Sequence, residues 1–245
     1  MMVRALLRKQ LRELGAAFLR SSKTGKARSR ASAVGYALLF AVLVVVLTDL
    51  FGVVHMCITA ENLAVKWGIS REEQDAFALE SQRRAARAIE EGRFRSQIVP
   101  VTIKTRKGDV VFEVDEHPKP NTTMESLAKL KPAFKKDGTV TAASSSSIND
   151  GAAAMVLMRE STAKQLGCKP LARIVSHATH AQEPEWFVTA PLGATQKALA
   201  KAGWSATDVD LWEINEAFAV VPMALMHDLQ LRHDKVNVND GACAL

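Results

Sequence analysis

Three short segments hold the side chains with the clearest potential for chemistry. Residues 55–62 read HMCITAEN, residues 141–151 read TAASSSSINDG, and residues 215–218 read NEAF and are followed by VNVN at 236–239. An asparagine amide at a strand-to-helix turn can fix a water molecule by directed hydrogen bonds, and Asn215 is predicted to stand at such a turn. The same residue could serve as the N-cap of the helix that follows, so both roles stay open.

The remaining chemistry-bearing residues are scattered. The sequence contains no GxSxG, phosphate-loop, HExxH or GxGxxG motif. His177 and His180 have ligand-like spacing, but their predicted strand–loop setting favours solvated side chains. Cys57, Cys168 and Cys243 are too few and too far apart for a disulfide framework or a zinc site, so we expect three reduced structural thiols and no bound metal.

In their order and spacing the three segments resemble the thiolase family, which comprises acetyl-CoA acetyltransferases and 3-ketoacyl-CoA thiolases. The stretches EEQDAFALES, RKGD, LAKLKPAF and NDGAAA add to the resemblance, which runs from about Leu47 to Leu245. It implies acyl transfer between CoA thioesters, either by Claisen condensation of two acyl-CoAs or by thiolytic cleavage of a 3-ketoacyl-CoA. The CoA thioester is then a substrate, and no covalently bound cofactor is expected.

The resemblance implies site residues one by one. Asn215 matches the asparagine that holds a water in an oxyanion hole. The other matches line the CoA and acyl pocket; they are His55, Met56, Lys119, Ser126, Phe134, Ala142, Ser146 and Ile148. Lys119 stands where the family has an arginine. The lysine keeps the positive charge but lacks the planar stacking and bidentate contact of a guanidinium.

Several departures from the family pattern bear on activity. Cys57 occupies a position that is usually glycine, Cys243 lies just before the place of the family's Gly-His-Pro motif, and Asp240 replaces another glycine. The nucleophilic cysteine, the activating histidine and the acid/base cysteine have no counterpart in these 245 residues. The comparison therefore predicts a chain truncated at both ends and inactive alone, still binding CoA weakly, that forms a homo-oligomer or joins a complementing thiolase chain.

The elements that must position these segments alternate between helix and strand. Ser70-Arg71-Glu72-Glu73 is a capping box, which predicts a helix to about Glu91 that Gly92 ends. The pattern further predicts a hairpin from 98–104 and 110–114, a buried strand or helix over 152–158, helices over 194–202 and 216–229, and strands over 171–177, 210–214 and 236–239. The expected fold class is α/β, an incomplete thiolase-like layered αβα architecture.

The first thirty residues form a basic arm. They hold nine Lys/Arg and one acid, a charge of +8, whereas the rest of the chain has 32 − 9 = 23 bases and 26 − 1 = 25 acids. Because the excess positive charge is confined to one terminal arm, no nucleic-acid partner is predicted. The arm is predicted to form an amphipathic helix, because one face carries Leu7, Leu11, Leu14 and Phe18 at helical spacing. A transit-type targeting peptide, a membrane-surface helix and translation upstream of the true start are all open interpretations.

An apolar segment over 31–54 follows the arm. Its continuous part, 33–47, would span about 22 Å as a helix, short of the roughly 30 Å of a bilayer core. Extension to Val54 reaches that length but includes Asp49, so a membrane helix and a buried strand or core helix are both open.

The predicted organisation is therefore a basic arm at 1–30, the apolar segment at 31–54, a thiolase-like loop and CoA-binding region at 55–145, and a partial C-terminal thiolase domain at 146–245. The predicted location is cytoplasmic, with membrane association and mitochondrial targeting left open by the first two regions. A non-enzymatic, membrane-associated thiolase-like protein is the alternative function.

Overall fold

Helices make up most of the regular structure. The computed structural model describes residues 56–244, so the basic arm, the apolar segment and His55 lie outside the described residues. The helices are α1 (Met56–Trp67), α2 (Arg71–Glu90), α3 (Met124–Ala128), α4 (Glu160–Gln165), α5 (Ala190–Ala202) and α6 (Val220–Leu229). A hairpin joins β1 (Val101–Thr105) to β2 (Gly108–Phe112), and short 3-10 turns cover Pro184–Thr189, Ala206–Asp208 and His233–Lys235.

The capping box predicted for α2 is present. The Ser70 hydroxyl accepts the Glu73 backbone N–H at 3.1 Å, and the Ser70 N–H donates to the Glu73 carboxylate at 2.7 Å. At the other end Gly92 has a φ of +69°, the left-handed conformation in which glycine is least strained, and its N–H donates to the Ile89 carbonyl at 3.0 Å. The predicted start and stop of this helix are therefore confirmed.

The principal core lies between α1 and α6. Ala60, Leu63 and Ala64 follow helical spacing along α1 and are buried. They belong to one cluster with buried residues of α6 and of three connecting segments, namely Val220, Val221, Ala224, Leu225, Val140, Ile214 and Val236. Burial of each large aliphatic side chain contributes about 2 kcal/mol, so this cluster anchors the segments that flank Asn215.

The predicted hairpin forms, with a first strand shorter than expected and a second strand of the expected length that begins two residues earlier. Val101 pairs with Phe112 and Thr105 with Gly108, and a two-residue turn closes the loop. Gly108 has a φ of +119°, a backbone conformation that side chains disfavour. Every residue of both strands is exposed, so the hairpin projects from the rest of the described chain.

Several strands predicted for the second half do not form. The buried strand or helix predicted for 152–158 and the strand predicted for 171–177 are both absent: neither segment has regular secondary structure, and 152–158 are exposed throughout. The strands predicted near 212 and 236 meet only as a single parallel bridge between Trp212 and Val236. A strand depends on a neighbouring strand for its hydrogen bonds, and residues 56–244 supply no such neighbour to 152–158 or 171–177.

The start of α6 also differs from the prediction. The helix begins at Val220 with Ala219 as its N-cap, not near Glu216. Residues 213–217 are not helical, and Phe218 forms an antiparallel bridge with Ser145 instead of entering the helix. The N-cap interpretation of Asn215 is therefore wrong.

Within residues 56–244, none of the helices combines the length and the apolar character needed to cross a bilayer. The membrane prediction depends on 31–54, which the structure does not describe.

Loss of the capping box should destabilise the chain. We expect Ser70→Ala to lower the free energy of unfolding by about 1 kcal/mol, because the Glu73 N–H loses its acceptor. Urea denaturation followed by circular dichroism measures this change. Ser96→Ala, which removes an exposed hydroxyl just beyond the same helix, is the matched control. Equal effects from the two substitutions would contradict the prediction.

Candidate functional site

The Asn215 turn is fixed on both sides. Before it, buried Ile214 donates its backbone N–H to the Asn237 side-chain oxygen and accepts the Asn237 side-chain N–H, each at 2.7 Å. After it, Glu216 is 1 % exposed. Asn215 itself is exposed between these two buried residues, so its amide is free to meet a ligand while the backbone on either side is held.

Glu216 has polar partners from three parts of the chain. Its carboxylate accepts the Ser81 hydroxyl of α2 at 2.8 Å, the Asn237 side-chain N–H at 2.9 Å and the Cys243 backbone N–H at 3.1 Å. Gly241 lies so close that a Cβ placed there would be 1.9 Å from the Glu216 carboxyl carbon. The carboxylate is thus satisfied inside the protein and fills the space that Gly241 leaves.

Asn237 adopts a conformation that few residues tolerate. Its φ is +49°, in the left-handed region where asparagine is enriched among non-glycine residues. Its N–H donates to the Trp212 carbonyl at 2.8 Å, and its own carbonyl accepts a guanidinium N–H of Arg84 at 3.2 Å. Arg84 also donates to the His233 carbonyl at 3.1 Å, so α2 holds the backbone of the VNVN segment in place.

The serine-rich loop lies against the Asn215 turn. Ser146 donates its backbone N–H to the Ala217 carbonyl at 3.1 Å, and Ser145 and Phe218 form an antiparallel bridge. The structure therefore brings the two predicted site residues Ser146 and Asn215 onto neighbouring segments of backbone.

Within the serine-rich loop, the buried residues hydrogen-bond to one another, and the predicted CoA contacts are exposed. The Thr141 N–H donates to the Ser144 hydroxyl at 2.9 Å, and the Ser145 hydroxyl donates to the Thr141 carbonyl at 2.7 Å; these three residues are buried. The three positions predicted to contact CoA are exposed, namely Ala142, Ser146 and Ile148.

The other predicted contacts occupy different parts of the surface. Met56 begins α1 and is exposed. Lys119 extends an exposed side chain, while its backbone N–H donates to the Gln82 side chain at 2.6 Å. Ser126 uses its hydroxyl within a capping box with Thr123 at the start of α3. Phe134 is partly exposed, and His55 lies outside the described residues.

Carboxylates crowd around Glu216. Burial, with the negative charges of Asp240 and Glu216, raises the pKa of Glu213. Burial, with the charges of Glu216 and Asp115, likewise raises the pKa of Asp240. Within the part of the chain that the structure describes, no group of three or more His, Cys, Asp or Glu side chains is arranged to hold a metal ion.

Comparison with known proteins decides the family. The family model "Thiolase, N-terminal domain" matches residues 21–161, and "Thiolase, C-terminal domain" matches residues 168–245. This chain belongs to the thiolase family. The N-terminal match begins upstream of Leu47, where the sequence resemblance was expected to begin, and takes in the apolar segment.

Individual thiolases agree with this assignment. The chain is 56% identical over 200 residues to an acetyl-CoA acetyltransferase of Chromobacterium violaceum, covering 81% of this chain and 51% of that one. It is 52% identical to the enzyme of the same name from Syntrophomonas wolfei, covering 81% and 50%. The chain thus spans about half the length of the curated relatives that it matches.

Solved thiolase structures share its fold. The acetyl-CoA acetyltransferase of Bacillus anthracis superposes with a TM-score of 0.79 at 44% identity, covering 92% of this chain and 55% of that one. Human mitochondrial 3-ketoacyl-CoA thiolase superposes with a TM-score of 0.77 at 42% identity, covering 93% and 55%. The predicted α/β class and incomplete thiolase-like architecture are confirmed.

Reasoning from the sequence missed the residues that hold this candidate site together. Glu216 and Asn237 were noticed only as letters of the NEAF and VNVN motifs, and Ser81 and Gly241 were not noticed. A usable signal was nevertheless present, because an acid next to a short apolar segment must find donors if it is buried.

Enlargement of Gly241 should disturb the Glu216 carboxylate. We expect Gly241→Ala to lower the free energy of unfolding by about 1–3 kcal/mol, because the new Cβ overlaps a buried carboxylate that cannot withdraw. Gly151→Ala is the matched control, since a Cβ at Gly151 meets nothing within 4 Å. A chemical denaturation curve is measured for each variant, and equal stability of the two would contradict the overlap.

Removal of the Asp240 charge should stabilise the chain at neutral pH. The folded state raises the pKa of Asp240 above its ordinary value of 3.8, so its ionised form opposes folding at higher pH and the penalty disappears as pH falls below 3.8. We expect Asp240→Asn to raise the free energy of unfolding by about 0.5 kcal/mol at pH 7. The gain is small because solvent screens this half-buried group. The gain should shrink on acidification, and Asp150→Asn, at an exposed carboxylate, should give no gain.

Proposed function

We propose that this chain takes part in acyl transfer between CoA thioesters, by Claisen condensation of two acyl-CoAs or by thiolytic cleavage of a 3-ketoacyl-CoA. In this role Asn215 holds the water of an oxyanion hole, and the serine-rich loop carries the pantetheine arm. The observation that carries the proposal is the hydrogen bond from the Ser146 N–H to the Ala217 carbonyl, which joins the serine-rich loop to the segment that carries Asn215.

The geometry suits stabilisation of a developing negative charge. When a thioester carbonyl is attacked, its oxygen becomes an oxyanion, and preorganised donors around such an oxygen contribute about 3–4 kcal/mol each. Asn215 is exposed, whereas Ile214 and Glu216 on either side are buried and hydrogen-bonded. An amide held in this way can orient a water toward the carbonyl without a large entropic cost on binding.

In this proposal the remaining CoA contacts come from other parts of the surface. Lys119 supplies a positive charge for the CoA phosphates. Ser126 and Phe134 are exposed, so a ligand's adenine end can reach them. Met56 and His55 serve the acyl and pantetheine side in this proposal. CoA is a substrate throughout, and the chemistry asks for no resident cofactor.

The two buried thiols suit a nucleophile poorly. Burial raises the pKa of Cys57 and raises that of Cys243 far more, so both remain thiols at neutral pH. Because the thiolate is the attacking species, we expect the chain alone to bind acyl-CoA without turning it over.

A partner completes the proposal. Exposed apolar side chains over 152–158, where Met155 and Val156 are 81 % and 82 % exposed, favour a second polypeptide on this surface. That polypeptide is either another copy of this chain or a complementing thiolase chain.

Binding of acetyl-CoA tests the proposed function. We expect isothermal titration calorimetry on the purified 245-residue chain to detect binding, and Ser146→Asp to weaken it about tenfold by placing a carboxylate beside the pantetheine arm. Ser161→Asp, an equal change at an exposed serine of α4, should leave the affinity unchanged.

Two results would each contradict one part of this proposal. Absence of acetyl-CoA binding would contradict the binding role, and detectable thiolysis of acetoacetyl-CoA by the chain alone would contradict the need for a partner.

A further inference from the structure

A buried carboxylate stands next to the proposed oxyanion asparagine and has no part in the acyl transfer itself. Glu216 is 1 % exposed, so it cannot reach a bound thioester. Burial of an ionised carboxylate is costly unless several donors satisfy it, and a well-packed apolar residue would often be at least as stable. Its presence at this position therefore calls for a role other than stability.

The donors to Glu216 join three segments that are distant in sequence. Ser81 belongs to α2 and lies 135 residues away, Asn237 lies 21 residues away and Cys243 lies 27 residues away. The absence of a side chain at Gly241 makes room for the carboxylate. One side chain thus ties the NEAF turn to α2 and to the 237–243 segment.

Asn237 connects this carboxylate to the other side of the turn. Its side-chain amide bonds both backbone groups of Ile214 at 2.7 Å and also donates to the Glu216 carboxylate at 2.9 Å. The residues before and after Asn215 are therefore held by a single amide, whose own orientation depends on Glu216 as its acceptor.

We propose that Glu216 is a positioning residue that sets the orientation of the Asn215 amide through Asn237. This inference rests on the proposed function, in which Asn215 and its water meet the thioester oxygen. The backbone of an exposed asparagine on a turn would otherwise sample several orientations, and small misplacements of an oxyanion donor are costly in transition-state stabilisation.

Substitution Glu216→Gln tests the proposal with little change in shape. The new amide cannot accept from Ser81, Cys243 and Asn237 together, so one donor must lose its partner. In nitrogen-15 NMR of the whole chain, the Asn215 side-chain amide is identified by its absence in Asn215→Asp. We expect its chemical shift and its heteronuclear NOE to move toward those of a freely rotating asparagine in E216Q.

Ligand selectivity provides a second measurement. We expect E216Q to weaken acetyl-CoA about threefold to tenfold, because a hydrogen bond to the thioester oxygen is lost, and to change the affinity for free CoA by less than about twofold. A merely structural defect would weaken both ligands by the same factor. The matched control is Glu90→Gln, which removes an exposed carboxylate at the end of α2, away from Glu216, and should change neither measurement.

The outcomes separate this proposal from the proposed function. If the wild-type chain binds no acetyl-CoA, the proposed function fails, and the Asn215 amide signal alone then decides whether Glu216 positions it. An unchanged amide signal in folded E216Q, or equal loss of both ligands, overturns the positioning role. If E216Q does not fold, Ser81→Ala removes one donor from α2, and an Asn215 amide unmoved by that change overturns the proposal.

Discussion

The hydrogen bonds between the Asn237 amide, Ile214 and Glu216 are the interaction on which the rest of the site depends. They replace the ladder of a longer strand pair, since Trp212 and Val236 form only one parallel bridge. Without them the NEAF turn would be joined to the VNVN segment by two backbone hydrogen bonds at Trp212. The site is thus held mainly by side chains whose requirements are more specific than those of a sheet.

Helix α2 supports this arrangement through three of its side chains. Arg84 donates to the successive carbonyls of Val236 and Asn237 in the VNVN segment, and Ser81 reaches the Glu216 carboxylate from the same helix. Gln82 extends the contact by donating to the Cys243 carbonyl at 3.2 Å and accepting the Lys119 N–H. A single capped helix therefore sets the position of the turn, of the 237–243 segment and of the backbone that carries Lys119.

Features determined by neighbouring residues could be predicted from the sequence. The capping box of Ser70, the left-handed Gly203 that ends α5 and the hairpin turn all depend on a few adjacent positions. The buried strand or helix predicted at 152–158 and the strand predicted at 171–177 depend on packing or pairing partners, which no local pattern supplies, and neither is present. Asn215 and Ser146 emerged from motif resemblance, but Glu216 did not, because its three donors come from 21 to 135 residues away.

The burial of each cysteine determines which thiol an oxidant reaches. Cys57 and Cys243 are buried, and Cys243 also directs its thiol toward the Glu216 carbonyl, whereas Cys168 is exposed just beyond α4. Oxidants and alkylating reagents therefore reach Cys168 first. A disulfide between two copies would form through that thiol, at a residue that makes no described contact with the NEAF turn.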